Sequence, residues 1–208
     1  MRTYTDRDSA GRELAGELAR LRLRSPVVLA LPRGGVPVGR AIAAELDAPL
    51  DVLLVRKIGA PGHRELGVGA VGEDDVTVFD HDRIDALGID RAAVAAIAQE
   101  ERAELARRAE LYRGGRPLID LAGRDAIVVD DGIATGGTAV AAVEVVRHHD
   151  PAQVVVAVPV GADSGLARLA AVADRVVCPL SVSGPFAVGS WYRDFHQLDD
   201  DEVADLLR

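Results

Sequence analysis

The chain has 208 residues, 49% of them hydrophobic and 27% charged, with a formal net charge of -9. This composition is that of an ordinary soluble globular protein with one hydrophobic core, and the acidic balance argues against a protein whose main task is to grip nucleic acid. The first residues are polar, and no apolar run reaches the roughly 18 residues of a membrane span. From these two observations we expect a cytoplasmic protein with no membrane partner. Cys178 is the only cysteine, which excludes an internal disulfide and fits that compartment.

Short segments rich in β-branched residues alternate with alanine-rich segments, which is typical of a parallel sheet covered by helices. In chain order, the predicted elements are a helix over 9–23, a strand over 27–31, a helix to about residue 46, strands over 50–55 and 76–79, a helix over 91–112, a strand over 126–129, a helix over 138–148, a strand from 154, a helix over 164–173 and a strand "RVVC". We therefore predict an α/β fold, an open, mainly parallel sheet with helices on both faces. Residues 1–180 form the predicted core, and residues 181–208 a small C-terminal hood of the same domain.

The segment "RKIGAPGHRELGVGAVGEDD", residues 56–75, interrupts this alternation. It contains five glycines and has no helical period. A loop of this length inside a compact domain is usually functional or mobile. We therefore predict a mobile loop over about residues 56–75.

The segment "VVDDGIATGGT", residues 128–138, places two carboxylates at the end of a predicted strand and a glycine- and threonine-rich turn before a helix. In an open parallel sheet, ligands bind beyond the carboxyl ends of the strands. The turn is expected to form a cup of backbone N–H groups for a phosphate. The residues of the predicted cup are Ala134, Thr135, Gly136, Gly137 and Thr138.

The two carboxylates, Asp130 and Asp131, identify the rest of the ligand. Carboxylates accept hydrogen bonds from hydroxyl groups and attract Mg²⁺. A nucleoside triphosphate loop would carry a lysine where this chain has Thr138, and the dinucleotide fingerprint G-x-G-x-x-G is absent. The segment thus fits a sugar phosphate with vicinal hydroxyls and a magnesium-bound diphosphate.

The same segment resembles the signature of the type I phosphoribosyltransferases: an apolar strand, two acidic residues and a glycine-threonine loop. The resemblance implies that phosphoribosyl diphosphate (PRPP) is the donor, that Mg²⁺ is the cofactor and that Asp130 and Asp131 hold the ribose hydroxyls, contacting the metal only indirectly. It also implies catalysis through electrostatic stabilisation of an oxocarbenium-like state, with no covalent nucleophile. A homodimer is common in the family.

Two further segments correspond to loops of that family. The loop in "LALPRGGVPVG" would bind diphosphate through Arg33, Gly34 and Gly35, and in relatives it holds a cis peptide bond not preceding proline. The segment 56–75 would close over the reaction centre. Its basic residues are the candidate diphosphate ligands Arg56 and Arg64, with His63, and the candidate catalytic residue Lys57, the only lysine of the chain. Glu65 is a candidate general base, against the simpler interpretation of a surface glutamate.

The acceptor is less well specified. In 6-oxopurine members an Asp occupies the position of Ala134, and the change argues against hypoxanthine or guanine as the acceptor. The tail "GPFAVGSWYRDFHQL" is faintly similar to the base-binding segment of purine members, with Phe186 stacking on the base, Val188 offering backbone groups and Trp191 closing the pocket. The alternative is an aromatic cluster that only packs on the sheet.

We therefore predict a magnesium-dependent phosphoribosyltransferase that joins the phosphoribosyl group to a nucleobase, with purines among the candidates, and releases diphosphate. The alternative from another class is a non-catalytic regulator that senses PRPP or a nucleotide on the same fold. A third hypothesis is a hydrolase of a related diphosphate. The presence of Arg33 and of the 56–75 segment favours the enzyme, since a sensor has no reactive sugar cation to protect.

Overall fold

The computed structural model describes residues 3–208, apart from the side chain of Glu65. The helices are α1 Arg7–Leu18, α2 Gly35–Leu46, α3 His81–Ala86, α4 Arg91–Arg113, α5 Gly137–Arg147, α6 Asp163–Ala170 and α7 Asp200–Leu206. The strands are β1 Val27–Ala30, β2 Leu50–Val52, β3 Arg56–Ala60, β4 His63–Val71, β5 Thr77–Phe79, β6 Asp125–Val129, β7 Gln153–Ala157, β8 Val160–Ala162, β9 Arg175–Val177 and β10 Leu180–Val182. None of the helices described in residues 3–208 combines the length and apolar character needed to cross a bilayer.

The predicted parallel sheet is confirmed. Five parallel strands lie in the order β2-β1-β6-β7-β9. Strands β1 and β6 are buried along their whole length, as expected for strands covered on both faces. After β1 the chain moves to one side of the sheet and after β6 to the other, so the point where strand order reverses lies between these two strands. Ligands of open α/β sheets bind at this point.

The segment 56–75 is not an irregular loop, which corrects the sequence interpretation of its local structure. Its residues form the antiparallel strands β3 and β4, and β4 pairs in turn with β5. Glycines interrupt the alternation of apolar and polar residues that would have indicated strands. They occur in this segment because another part of the backbone comes very close. A Cβ atom on Gly59 would lie 2.6 Å from the Cα of Arg64, and one on Gly69 would lie 2.4 Å from the carbonyl oxygen of Val78. Closure of this hairpin over a ligand stays a prediction.

The C-terminal tail and the N-terminus meet over the end of the sheet. Strand β10 pairs with β8, a 3-10 helix covers Val188–Trp191, and Tyr4 pairs with Tyr192 through an isolated parallel bridge. The rings of Tyr192 and Phe195 stack with centroids 5.1 Å apart. This small apolar cluster combines Tyr4 and Ala10 with Val160 and with apolar residues between positions 180 and 195.

Candidate active site

The acid pair, Asp130 and Asp131, lies directly after β6 at the point where the strand order reverses. The backbone N–H of Asp131 donates to Oδ1 of Asp130 at 2.9 Å. Burial raises the pKa of Asp130 well above its ordinary value, and the neighbouring charge of Asp131 raises it further. Burial also raises the pKa of Asp131, and an ion pair with Arg7 opposes that rise. Two neighbouring carboxylates with one cation leave negative charge that a ligand's hydroxyl groups or a metal ion can neutralise.

Arg7 is the residue of this site that sequence reasoning missed. Its Nε donates to Oδ2 of Asp131 at 2.8 Å, and its Nη1 donates to the carbonyl oxygen of His196 at 3.0 Å. Its guanidinium carbon lies 3.9 Å from the ring centroid of Phe195, within cation–π range. The Arg7 side chain is only 8% exposed. No local pattern could have revealed this contact, because Arg7 and Asp131 are 124 positions apart in sequence.

The predicted phosphate cup begins helix α5. Gly136 precedes the helix with φ +76, in the left-handed region that favours glycine. A Cβ atom on Gly136 would also lie 3.0 Å from the carbonyl oxygen of Gly165. Thr135 and Thr138 are exposed at the surface of the cup. The five predicted residues are thus together at a helix N-terminus, where backbone N–H groups and the helix dipole favour an anion.

The second predicted loop packs against the acid pair. The peptide bond between Pro32 and Arg33 is cis, as the family resemblance predicts. A Cβ atom on Gly34 would lie 2.0 Å from Oδ2 of Asp131, and one on Gly35 would lie 2.5 Å from the carbonyl oxygen of Val129. Both glycines are therefore needed for close packing, while the side chain of Arg33 is exposed. The backbone of this loop and the two carboxylates form one continuous surface.

The hairpin brings only part of its predicted residues to the site. Lys57 lines a cavity of about 470 Å³ together with Thr135 and Gly137 of the phosphate cup. Arg56 lines a small cavity with Pro32 and Thr138, and it forms an ion pair at 2.6 Å with Glu101 of helix α4. The residues at the hairpin tip, His63 and Arg64, line a separate cleft with Leu66, Leu87 and Ile89. The side chain of Glu65, the candidate general base, lies outside the described residues.

The predicted base-binding residues lie in the cluster that covers the acid pair. Phe186, Val188 and Trp191 are half-buried there. Val188 packs directly on Gly132, where an added Cβ would lie 2.6 Å from its Cγ1. The hydroxyl of Tyr192 donates to the carbonyl oxygen of Asp131 at 2.6 Å. The aromatic tail therefore packs over the end of the sheet, and base binding by the same residues stays a prediction.

Cys178 is not suited to nucleophilic catalysis. Its Sγ donates to the carbonyl oxygen of Leu180 at 3.2 Å, and burial raises the pKa of its thiol to about 11. A thiol with this pKa is almost fully protonated at neutral pH, whereas the thiolate is the reactive form. Cys178 instead packs, partly buried, against the main hydrophobic cluster of the sheet.

The raised pKa of Asp130 leads to a prediction about stability. An acid whose folded-state pKa exceeds its unfolded value, 3.8 here, contributes stability below that value and loses it as pH rises through the folded pKa. Asp130→Asn is therefore expected to raise the free energy of unfolding of the ligand-free protein at pH 7.5, because asparagine removes a carboxylate charge that burial disfavours.

Thermal unfolding of wild type and Asp130→Asn between pH 4 and pH 7.5 measures this effect. The gain in melting temperature should shrink towards the acidic end. Asp205→Asn is the control, because Asp205 forms an ion pair with Arg208 at the surface and its side chain is 69% exposed. A lower melting temperature for Asp130→Asn at pH 7.5 would contradict the prediction.

Known proteins share this architecture. Residues 5–189 match the model of the phosphoribosyl transferase domain. A Mycobacterium tuberculosis protein, Rv0571c, whose name describes it provisionally as a phosphoribosyl transferase, is 51% identical over 207 residues. The match covers 100% of this chain and 47% of that protein, so the chain spans about half the length of this relative.

Two solved structures extend the comparison. The crystal structure of TT1426 from Thermus thermophilus superposes with a TM-score of 0.92 at 44% identity, over 100% of this chain and 98% of that one. A Neisseria gonorrhoeae protein solved with bound ppGpp has a TM-score of 0.52 at 16% identity, over 99% of this chain and 94% of that one. The second likeness concerns the fold alone.

Proposed function

This chain belongs to the phosphoribosyl transferase domain family, and on that premise we propose that it transfers the phosphoribosyl group of PRPP to a nucleobase and releases diphosphate. One observation supports the proposal: the acid pair lies between the 32–35 loop, which it contacts through Gly34, and the turn at the start of α5, with which it is continuous through Gly132. PRPP consists of a phosphate, a sugar and a diphosphate in that order, so each of its groups has a counterpart among these three parts.

The residues would act by binding and orienting the donor. The cup at the start of α5 would hold the 5-phosphate through backbone N–H groups and the hydroxyls of Thr135 and Thr138. The carboxylates of Asp130 and Asp131 would accept hydrogen bonds from the ribose hydroxyls. The 32–35 loop would hold the diphosphate, and Lys57 would approach it as the hairpin closes. As the bond to the diphosphate lengthens, the carboxylates stabilise the positive charge that develops on the sugar ring.

Magnesium fits the donor set only as an ion shared with the substrate. The described residues contain no group of three or more His, Cys, Asp or Glu side chains that could hold a metal ion alone. Mg²⁺ commonly retains water and binds to substrate phosphates with one or two carboxylates. Asp130 and Asp131 are the residues that would hold it, through water or the ribose hydroxyls. When bound, Mg²⁺ would neutralise charge on the leaving diphosphate.

The acceptor site would lie beneath the aromatic tail. Val188 and Tyr192 contact Gly132 and Asp131, so the tail is adjacent to the position proposed for the sugar. Phe186 and Trp191 offer partly exposed rings against which a flat heterocycle can stack. Ala134 cannot assist proton transfer on a purine as an Asp at this position would. We therefore propose a nucleobase other than a 6-oxopurine.

Diphosphate release tests this function. Purified protein is incubated with Mg²⁺, PRPP and a panel of purines, pyrimidines and other nitrogen heterocycles, and diphosphate is measured directly by ³¹P NMR. We expect release with a subset of acceptors, none without an acceptor, and loss of release when EDTA is present. PRPP binding by calorimetry without release for any acceptor would favour the sensor. An absence of PRPP binding would overturn the assignment of the site.

A further inference from the structure

We propose that Arg7 is a positioning residue that fixes the carboxylate of Asp131 for the ribose hydroxyls of the donor, and so links the hood to the acid pair. The inference rests on the proposed function and adds to it a residue outside the two loops and the acid pair. Arg7 acts through Asp131 and is not assigned any contact with the donor itself.

The contacts of Arg7 hold the guanidinium in one place. Three neighbours fix it: Oδ2 of Asp131 at 2.8 Å, the carbonyl oxygen of His196 at 3.0 Å, and the ring of Phe195 at 3.9 Å from centroid to guanidinium carbon. Arginine is well suited to such a place because its planar fork donates in fixed directions and stacks on an aromatic ring. The position of the guanidinium is therefore set by the C-terminal tail.

The carboxylate of Asp131 is held from two sides. Arg7 donates to Oδ2, and the Cα of Gly34 lies against the same oxygen, since an added Cβ there would be 2.0 Å away. Rotation of the carboxylate would break the ion pair or meet the 32–35 loop. The geometry thus assigns the other oxygen, Oδ1, to a hydroxyl of the ribose. A carboxylate fixed before the ligand arrives does not lose conformational freedom on binding.

This role concerns the sugar and not the phosphates. The phosphate cup at the start of α5 is formed by backbone groups of 134–138, none of which contacts Arg7 among the described hydrogen bonds. Loss of Arg7 should therefore weaken a ligand that carries ribose hydroxyls and leave inorganic phosphate unaffected. A purely structural role would weaken both ligands, because collapse of the hood would disturb the whole end of the sheet.

The test compares two ligands on the full chain. Binding of PRPP with Mg²⁺ is measured by calorimetry, and binding of inorganic phosphate by ³¹P NMR titration. Arg7→Met is expected to weaken PRPP binding about tenfold to hundredfold, the size of a hydrogen bond to a charged group. Its affinity for inorganic phosphate should stay that of the wild type. Arg12→Met is the matched control, because Arg12 lies on the same helix and forms an exposed ion pair with Asp8.

If Arg7→Met does not fold, Arg7→Lys carries the test. Lysine keeps the charge but cannot donate to Asp131 and His196 from one planar group, so PRPP binding should weaken to a smaller degree, again with phosphate unaffected. Equal weakening of both ligands, or unchanged PRPP binding, in the folded variant would overturn the inference while leaving the proposed function intact. Failure of the wild type to bind PRPP would instead contradict the proposed function.

Discussion

Asp131→Asn is expected to lower kcat/KM for the donor about a hundredfold to a thousandfold, the scale of losing one well-placed electrostatic contact in a transition state. Asparagine has the shape of aspartate but no charge, so it cannot stabilise positive charge on the sugar ring. It also loses the ion pair with Arg7 at 2.8 Å. Initial rates of diphosphate release at varied PRPP concentrations, with the acceptor identified by the panel, measure the change.

The fold should survive this substitution. The pKa of Asp131 is raised by burial in the ligand-free protein, so removal of its charge relieves a desolvation cost that partly offsets the lost ion pair. The far-UV circular dichroism and melting temperature should therefore stay close to the wild type. Asp205→Asn, at an exposed ion pair with Arg208, is the control for activity. Unchanged kinetics in Asp131→Asn would refute the ribose-binding role.

Gly35→Ala is expected to destabilise the protein by about 3 kcal/mol, or roughly 6–12 °C in melting temperature for a chain of this size. The new methyl group would lie 2.5 Å from the carbonyl oxygen of Val129 and 3.0 Å from the Cα of Asp130. Both atoms belong to the backbone at the end of β6, which cannot move without disturbing the sheet. Thermal and urea unfolding measure the loss, and displacement of the acid pair should also reduce turnover.

Gly16→Ala is the matched control for this glycine. Gly16 lies inside α1, and an added Cβ there would meet nothing within 4 Å. Alanine in a helix interior is more stable than glycine by roughly 0.5–1 kcal/mol, so this variant should be slightly more stable than the wild type with unchanged activity. A similar, small effect of both substitutions would show that the end of β6 tolerates the methyl group.

The central sheet, the 32–35 loop and the phosphate cup could be predicted because the sequence patterns that indicate them are local. The buried strands β1 and β6 are continuous apolar runs, and each is followed within a few residues by the loop that it positions. Helix boundaries were less accurate: the first helix begins at Arg7 instead of 9, because Asp6 caps it in a capping box with Ser9. It ends at Leu18, five residues earlier than predicted.

The rest of the site could not be predicted because its signals are long-range. The hairpin of β3 and β4 depends on close approach of another backbone segment at Gly59 and Gly69. Glycine permits this approach, but its presence in the sequence does not indicate which segment will lie there. The contact of Arg7 with Asp131 depends on how α1 docks on the sheet, and a single arginine near the N-terminus gives no indication of it. Local sequence thus predicts what the site is made of, and tertiary packing decides which charges meet there.

The packing of Arg7 against His196 and Phe195 over the acid pair has a consequence for folding. Arg7 contacts residues 124 and 189 positions away in sequence, and contacts of such long sequence separation form slowly because loop closure must come first. During synthesis the acid pair therefore stays incomplete until the residues around His196 have left the ribosome. A ligand that binds to the completed acid pair therefore stabilises the docked arrangement of Arg7 and His196 by mass action.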